Sequence, residues 1–477
     1  MKTNTREFPQ RAQEALLDER LQAALGKARG GFVDKRRAAL DELPEFEQLR
    51  SAARAIKEHT LSHLEEYLLQ FEREVEASGG QVHWAADPAE ACDIAVGLCR
   101  DAKAQLVAKG KTMVGEEIGL NEALEDAALR VVETDLGEYI IQLAGEPPSH
   151  IIAPAVHKSR GEIAELFESH HHGGGFSRPL QTVPDIVDEA RRVLRDEFLS
   201  ADVGITGANM LIAETGSTVL VTNEGNGDLT ASLPPVHIVI ASIEKVVPTL
   251  EDTTVLLRLL ARSATGQPIT SYTSFFTGPK RNTDLGGPEQ FHVVLVDNGR
   301  SEMLGNAYRE MLRCIRCGAC LNHCPVYGAV GGHAYGWVYP GPMGSVLTPL
   351  MIGLGEGHVL ADASTLCGRC EDVCPMSIPL PRMLREHRLQ SHREGLMKPV
   401  ARGLLSFWAG IARRPRLYRW LVERKSRLLH RFAGKRGYLR SVPLAAGWTN
   451  SRDLPAPQGG SFVTAWQQHQ KNKDSSK

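Results

Sequence analysis

The chain has 477 residues, 42% of them hydrophobic and 23% charged, and its formal net charge of −2 excludes a protein that is basic overall. That length predicts about three domains. The opening stretch MKTNTREFPQRAQEALLDER lacks the apolar centre of a secretory signal, and no run of about eighteen apolar residues exists to span a membrane. Together with unpaired cysteines, this predicts a cytoplasmic protein.

Residues 10–77 alternate charged and apolar positions at helical period, with breaks at Gly30-Gly31 and Pro44 and an end at Gly79-Gly80. The N-terminal segment, 1–77, is therefore expected to be a solvated helical hairpin packed on the next domain. From 78 to 300 the pattern changes. VHWAA reads as a strand, and DPAEACDIAVGLCRDAKAQLVAKG as a helix capped by Asp87. The loop KTMVGEEIG, a helix near 120–129, and the strands LRVVET and HIIAPAV follow. A helix covers 185–199, and the chain is then strongly β from VGITGANM to FHVVLVDNG. Such alternation predicts an α/β fold, an open sheet in three layers. Cys92 and Cys99 fall on one helical pattern and read as core thiols. The glycine-rich HHHGGGF at 170–176 reads as a mobile, solvated loop rather than a metal site, because no acid or cysteine lies close by.

One ligand crevice is suggested inside this region. Glu214-Thr-Gly-Ser217 and Thr222-Asn-Glu-Gly-Asn226 bracket the apolar strand TVLV. Small and polar residues at strand ends can build an anion site, with Gly216 and Gly225 turning backbone N–H groups inward and Lys111 adding charge. The candidates are Glu214, Gly216, Ser217, Asn223, Glu224 and Asn226. The same residues are also what the turns of a β-meander use. No Ser/His/Asp set, Walker loop or G-x-G-x-x-G is visible, so NAD is not indicated.

Residues 301–396 carry the chemistry. SEMLGNAYREMLRC is expected to be a helix delivering Cys314, Cys317, Cys320 and Cys324 in C-x2-C-x2-C-x3-C-P spacing; Cys367, Cys370 and Cys374 form C-x2-C-x3-C-P. This is the spacing of a helical, bacterial-type two-cluster ferredoxin, in which the last Cys of each run ligates the other run's cluster. Crossing assigns Cys314, Cys317, Cys320 and Cys374 to cluster 1. Cluster 2 receives Cys324, Cys367 and Cys370, and Ser364 stands where a complete run has its first Cys. Two iron–sulfur clusters are therefore expected, [4Fe–4S] at the first site. The second is either [3Fe–4S], or [4Fe–4S] with one iron on Ser364, water or a partner's ligand. A zinc site would leave three cysteines over, and a disulfide framework does not suit a long chain without a secretory signal. The reactivity implied is one-electron transfer. The 42 residues between Cys324 and Cys367 include GGHAYGWVYPGPMG, a linker able to fold tightly over clusters because glycine permits close backbone approach. LPRMLREHRLQSHREG reads as helix.

The C-terminal region, 397–477, is basic and helical. Residues 398–440 hold thirteen Lys/Arg and one acid, Glu423, with Phe407, Trp408, Tyr418, Trp420, Phe432 and Tyr438 interleaved. A solvated cap, docking to an acidic partner and peripheral contact with an anionic membrane all fit this composition. Nucleic acid is not expected, since no recognisable module is present.

ETDLGEYIIQL (133–143), PPSHIIAPAVHK (147–158), ITGANMLIAETGSTVLVTNEGN (205–226), TGPKRNTDLGGPEQFHVVLVDNGRSE (277–302) and LRCIRCGACLNHCPVYGAVGGHAYGWVYPGPMG (312–344) closely resemble the lactate utilization protein B family, iron–sulfur proteins of bacterial L-lactate oxidation. The resemblance covers nearly the whole chain. It implies a lactate-utilization (LUD) domain over roughly 75–300, similar in fold to the sugar-isomerase (NagB) and CoA-transferase class, and carries the cluster ligands onto the seven cysteines above. Some relatives have Cys at the place of Ser364. It also implies two partners, a second cysteine-rich iron–sulfur subunit and a smaller LUD-domain subunit, which jointly oxidise L-lactate to pyruvate. Two other readings stay open: a self-contained 2-hydroxy-acid dehydrogenase with substrate in the crevice, though without a flavin or NAD motif, and a cluster-based regulator that binds nucleic acid through 398–440.

Overall fold

The structure is a computed structural model that describes residues 3–171, 179–442, 446–449 and 452–474; residues 172–176 of the histidine–glycine loop lie outside these. The chain forms two units, Met1–Ser391 and His392–Lys477.

Among the described residues of the first unit, ten strands form two sheets: β1 (Gln81–Ala85), β2 (Leu106–Lys109), β3 (Arg130–Glu133), β4 (Val203–Gly207), β5 (Met210–Ile212), β6 (Ser217–Thr222), β7 (Val236–Ser242), β8 (Val246–Val247), β9 (Tyr272–Phe276) and β10 (Gln290–Val296). The larger sheet runs β1-β10-β7-β4-β2-β3, with every neighbouring pair parallel. The smaller is β8-β5-β6-β9, in which β5–β6 and β6–β9 are antiparallel.

Parallel strands covered on both faces are apolar throughout, and HIVIA and HVVLV read that way. Successive side chains point to opposite faces. Ile238, Ile240, Val294 and Val296 pack with Cys92, Val96 and Cys99. Val239, Ala241, Val293 and Leu295 pack with Leu64, Leu68, Phe71 and Val75. The first set meets the helix Pro88–Asp101, which Asp87 caps by accepting from the Glu90 N–H at 3.0 Å. The second meets the helix Leu64–Ala77.

The N-terminal helices are thus more than a solvated hairpin. We number them α1 (Phe8–Leu17), α2 (Glu19–Asp41), α3 (Phe46–Ser62) and α4 (Leu64–Ala77). Helix α4 is one outer layer of the sheet. Phe8, Leu43, Phe46, Ala53 and Leu61 share a core with Cys324, Cys370 and Cys374.

Two expected elements differ. HIIAPAV is a loop, not a strand. Pro147, Pro148 and Pro154 offer no N–H to a ladder, and His150 Nδ1 accepts from the N–H groups of Ile152 (3.0 Å) and Ala153 (3.1 Å), which turns the chain. SEMLGNAYREMLRC is not one helix. It breaks into Arg300–Met303 and a 3-10 turn, Arg309–Arg313, because Asn306 Oδ1 accepts from the Tyr308 N–H at 2.8 Å after Gly305.

The second unit contains the helices Pro399–Ala412, Pro415–Ala433 and Phe462–Asp474. A short antiparallel ribbon pairs Tyr438–Leu439 with Leu454–Pro455. Prolines open the first two helices, where a missing N–H costs nothing. Among its described residues only Ala433 and Leu439 are buried apolar side chains.

Candidate functional site

The two cysteine runs repeat one backbone. In the first, Arg316 (φ 57°) and Gly318 (φ 72°) are left-handed; in the second, Leu366 (φ 53°) and Gly368 (φ 86°) are. Each run continues into a one-turn helix, Ala319–Asn322 or Arg369–Asp372, and then Cys-Pro. Left-handed residues between the thiols curl successive N–H groups toward one point, a nest for negative charge. Non-glycine residues adopt φ > 0 at a cost of about 1–3 kcal/mol, so the surroundings must hold Arg316 and Leu366 there. Through this repeat Ser364 occupies the position of Cys314. Its Oγ accepts from the Leu366 N–H at 3.1 Å, and its carbonyl accepts from Arg388 at 2.9 Å.

Cys314, Cys317, Cys320 and Cys374 line one cavity with Ile315, Met343, Met376 and Ile378. The second run thus supplies the fourth thiol of the first. Cys324, Cys367 and Cys370 are mutual electrostatic neighbours. Burial pushes the Cys370 thiol up to about 12, with Cys324 and Cys367 adding to the rise. Burial likewise raises Cys317, Cys320 and Cys374. All seven are free thiols, and Cys367 is exposed. Backbone N–H groups approach the sulfurs: Ile378 to Cys374 and Tyr327 to Cys324, each at 3.5 Å. All-sulfur donors, four of the seven buried, with N–H groups directed at two of them fit iron–sulfur clusters, whose iron would keep the thiolates ionised.

Helices α2 and α3 hold the second run in place. Arg36 donates to the Val373 carbonyl at 3.0 Å. Arg50 donates to the carbonyls of Cys374 (2.8 Å) and Glu371 (3.1 Å).

A crevice of about 250 Å³ adjoins this region. It lies beyond the C-terminal ends of β2 and β4, where open parallel sheets bind ligands. Its wall includes Lys111, Asn209, Asn223, Glu224, Asn226, Lys245 and Arg316. The structure brings Asn223, Glu224 and Asn226 there and leaves Glu214, Gly216 and Ser217 at the other end of β6. Glu214 accepts from the Leu250 N–H at 3.1 Å, and Ser217 bonds to Thr277. Gly216 (φ 65°) is a packing glycine, since a Cβ there would sit 2.5 Å from the Val75 nitrogen. Lys111 donates to the Ile152 carbonyl at 2.8 Å. Burial and the nearby Asp135 push the Glu224 carboxyl up. Thr222 Oγ1 and Asn226 Oδ1 are buried with no partner.

Arg316 belongs to both places, lining the crevice and the cysteine cavity. Its guanidinium lies over the Tyr339 ring, 5.0 Å from the centroid, and donates to Glu244 at 3.4 Å. Behind it Arg300 makes a two-pronged bond to Glu117 at 2.8 and 2.7 Å, and its Nε lies 2.8 Å from Glu244. Tyr339 also donates to Glu117 at 2.6 Å. Burial opposes the charge on Glu244, but Arg300 and Arg316 hold that carboxyl down, to about 2. Lys245 makes no hydrogen bond or ion pair among the described residues.

A LUD domain model matches residues 68–296, and a 4Fe-4S dicluster domain model matches 310–378. Lactate utilization protein B of Bacillus pumilus (strain SAFR-032) is 41% identical over 475 residues, covering 99% of both chains. The chain belongs to the lactate utilization protein B family. The family member of Lysinibacillus sphaericus (strain C3-41) is 41% identical over 476 residues, again 99% of each chain. An uncharacterized electron transport protein, YkgF of Escherichia coli (strain K12), is 39% identical over 476 residues, 98% of each. The LUD match starts at residue 68, inside α4.

Within this family frame, several site residues were not marked by sequence reasoning. Arg316 sits inside the C-x2-C loop, where the cysteine spacing drew attention away from it, and Lys245 ends the 3-10 turn Ile243–Lys245 between β7 and β8, a lone cation amid apolar strands. Glu146, His157 and His333 also converge, with ligand atoms within 4.8 Å. Both nitrogens of His157 already bond, to Ser149 and Glu146 at 2.8 Å each, and Lys158 neutralises Glu146. Cys92 and Cys99 are core thiols, pushed by burial up to about 11 and about 12.

Proposed function

We propose that this chain is the iron–sulfur electron-transfer subunit of a complex that oxidises L-lactate to pyruvate. The observation that carries this reading is the shared wall: a small polar crevice and a four-thiol cavity meet at Arg316. The names of the relatives, lactate utilization and electron transport, point the same way. Cluster 1 is assigned to Cys314, Cys317, Cys320 and Cys374, and cluster 2 to Cys324, Cys367 and Cys370 with Ser364 beside them. Iron–sulfur clusters bound there supply one-electron steps. Lactate oxidation releases two electrons and two protons; two clusters could accept one electron each, with the protons passing to solvent. Lys245 and Arg316 would hold a carboxylate, and the unpartnered Thr222 Oγ1 and Asn226 Oδ1 would meet its hydroxyl. A second cysteine-rich subunit and a smaller LUD-domain subunit complete the assembly in the cytoplasm.

Anaerobic reconstitution of this chain, alone and with those partners, tests the reading. Lactate is expected to reduce the clusters, followed by EPR, only when the partners are present. Reduction of the isolated chain would favour a self-contained dehydrogenase, and no reduction in either case would sink both. In the assembly, Lys245→Met is expected to raise the lactate concentration for half-maximal reduction by about tenfold or more, the ~1.5–3 kcal/mol of a hydrogen bond to a charged group, at unchanged iron content. An unaltered half-saturation would remove Lys245 from substrate binding.

Ser364→Cys is expected to fix cluster 2 as [4Fe–4S], because the repeat gives Ser364 the backbone position of Cys314. Iron analysis and Mössbauer spectra of both proteins check this. Eight irons per chain, about the number two full clusters contain, already present in the wild type would show that no fourth thiolate is needed.

A further inference from the structure

The second unit presents an apolar stripe to solvent. On the helix Pro399–Ala412, Val400, Leu404, Phe407 and Trp408 recur at i, i+4, i+7 and i+8, the spacing of one helix face. They are 76%, 64%, 69% and 56% exposed. The next helix, Pro415–Ala433, continues with Trp420 (51%), Leu428 (53%) and Phe432 (73%). Soluble surfaces rarely carry contiguous apolar patches beyond a few hundred Å² unless something binds there.

The charge around the stripe has one sign. Residues 398–440 hold thirteen Lys/Arg against Glu423 alone. That single acid is already taken up: it accepts from Arg427 (3.2 Å), the Ser461 N–H (3.0 Å) and Thr464 (3.1 Å). Arg413 and Arg414 join the two helices and Arg416 lies in the first turn of the second, so all three fall between Trp408 and Trp420 along the chain. Arg424 lies over the Trp420 ring at 4.5 Å.

We propose that these two helices are a peripheral docking surface for anionic phospholipid membranes. The apolar side chains would enter the boundary between headgroups and acyl chains, and the arginines would reach lipid phosphates. Lys and Arg side chains can extend from a buried stem to a polar layer, and a basic helix with Trp, Phe and Leu on its other face lies in that interface. A protein groove that took both helices would have to take the junction between them as well, with Arg413, Arg414 and Arg416, and supply an acid for each arginine it buried. A lipid surface needs no such matching. Among the described residues no helix is long and apolar enough to cross a membrane, so the attachment is peripheral.

The test uses the full-length, cluster-loaded chain and sedimentation with vesicles. It is expected to bind phosphatidylglycerol–phosphatidylcholine vesicles at low salt with a blue shift of tryptophan emission, and to ignore pure phosphatidylcholine. Binding should weaken at ~1 M salt, where charges are screened beyond about 3 Å. The triple variant Phe407→Ser, Trp408→Ser, Phe432→Ser is expected to lose about tenfold or more in vesicle affinity, with helix content by circular dichroism and iron content unchanged. Since these side chains are exposed, the variant should fold. Absence of binding to anionic vesicles at low salt would overturn the proposal. So would equal binding of wild type and triple variant, or wild-type affinity for soluble polyglutamate matching that for vesicles, which would mark the surface as a general polyanion or acidic-protein site.

Discussion

Replacing Cys374 with alanine is expected to remove the [4Fe–4S] signal of the cluster that Cys314, Cys317 and Cys320 share, although Cys374 belongs to the other run. The four thiols line one cavity, and removing one sulfur leaves that cluster an open iron. The backbone should stay in place, because Arg50 binds the Cys374 carbonyl at 2.8 Å and not its sulfur. Electron transfer by the assembly should fall to background, while the EPR signal of the Cys324, Cys367 and Cys370 site survives. Cys314→Ala should give the same spectrum. Loss of the other signal instead would show that each run builds its own cluster.

The second large effect concerns stability. Arg300→Met is expected to cost about 3–5 kcal/mol, the penalty for leaving buried charge without its partner. Arg300 bonds Glu117 through two nitrogens and stands 2.8 Å from Glu244, and all three side chains are buried. Denaturant unfolding at neutral pH measures the loss; a change below about 1 kcal/mol would mean that water solvates the site. The pH dependence has a definite sign. In the wild type Arg300 holds Glu117 and Glu244 below the ordinary carboxylate range. Their contribution is therefore full above that range, and for Glu244 it is lost as pH falls toward about 2. In the variant burial acts with less opposition and both carboxylates shift upward, so the gap between the proteins should narrow on acidification. Arg300→Met combined with Glu117→Gln should recover part of the loss.

The cysteine spacing was legible because iron–sulfur ligation imposes it, and the structure places four of those thiols around one cavity. The open α/β sheet was legible because strands and helices alternate along 78–300; that its strands run parallel shows in the structure. What failed to show has a physical cause in each case. HIIAPAV has the composition of a strand, and Pro154, the prolines just before it and His150 overrule it. ETGS and NEGN are similar in chemistry, but a strand puts its two ends far apart, so only one reached the crevice. The helix Leu250–Ala264 and strand β9 were not picked out; β9 is half-exposed and follows the turn-rich TGQPITS. Charge-rich α2 and α3 looked solvated, yet Arg36 and Arg50 spend their charge on carbonyls near Cys374, a destination that no local pattern reveals.

Those two arginines have a consequence for how the molecule is made. Arg36 and its acceptor are 337 residues apart, and Arg50 and its acceptor 324. On the ribosome, α2 and α3 emerge early and can pack on the helix Leu250–Ala264, but Arg36 and Arg50 must wait for the second cysteine run to find their acceptors. Contacts of such long range close slowly and leave exposed surface meanwhile. A cluster shared by Cys314 and Cys374 would likewise require the chain to have been made through residue 374. A chain cut short before residue 371 should then leave Arg36 and Arg50 without these acceptors and its first sixty or so residues more open to proteases.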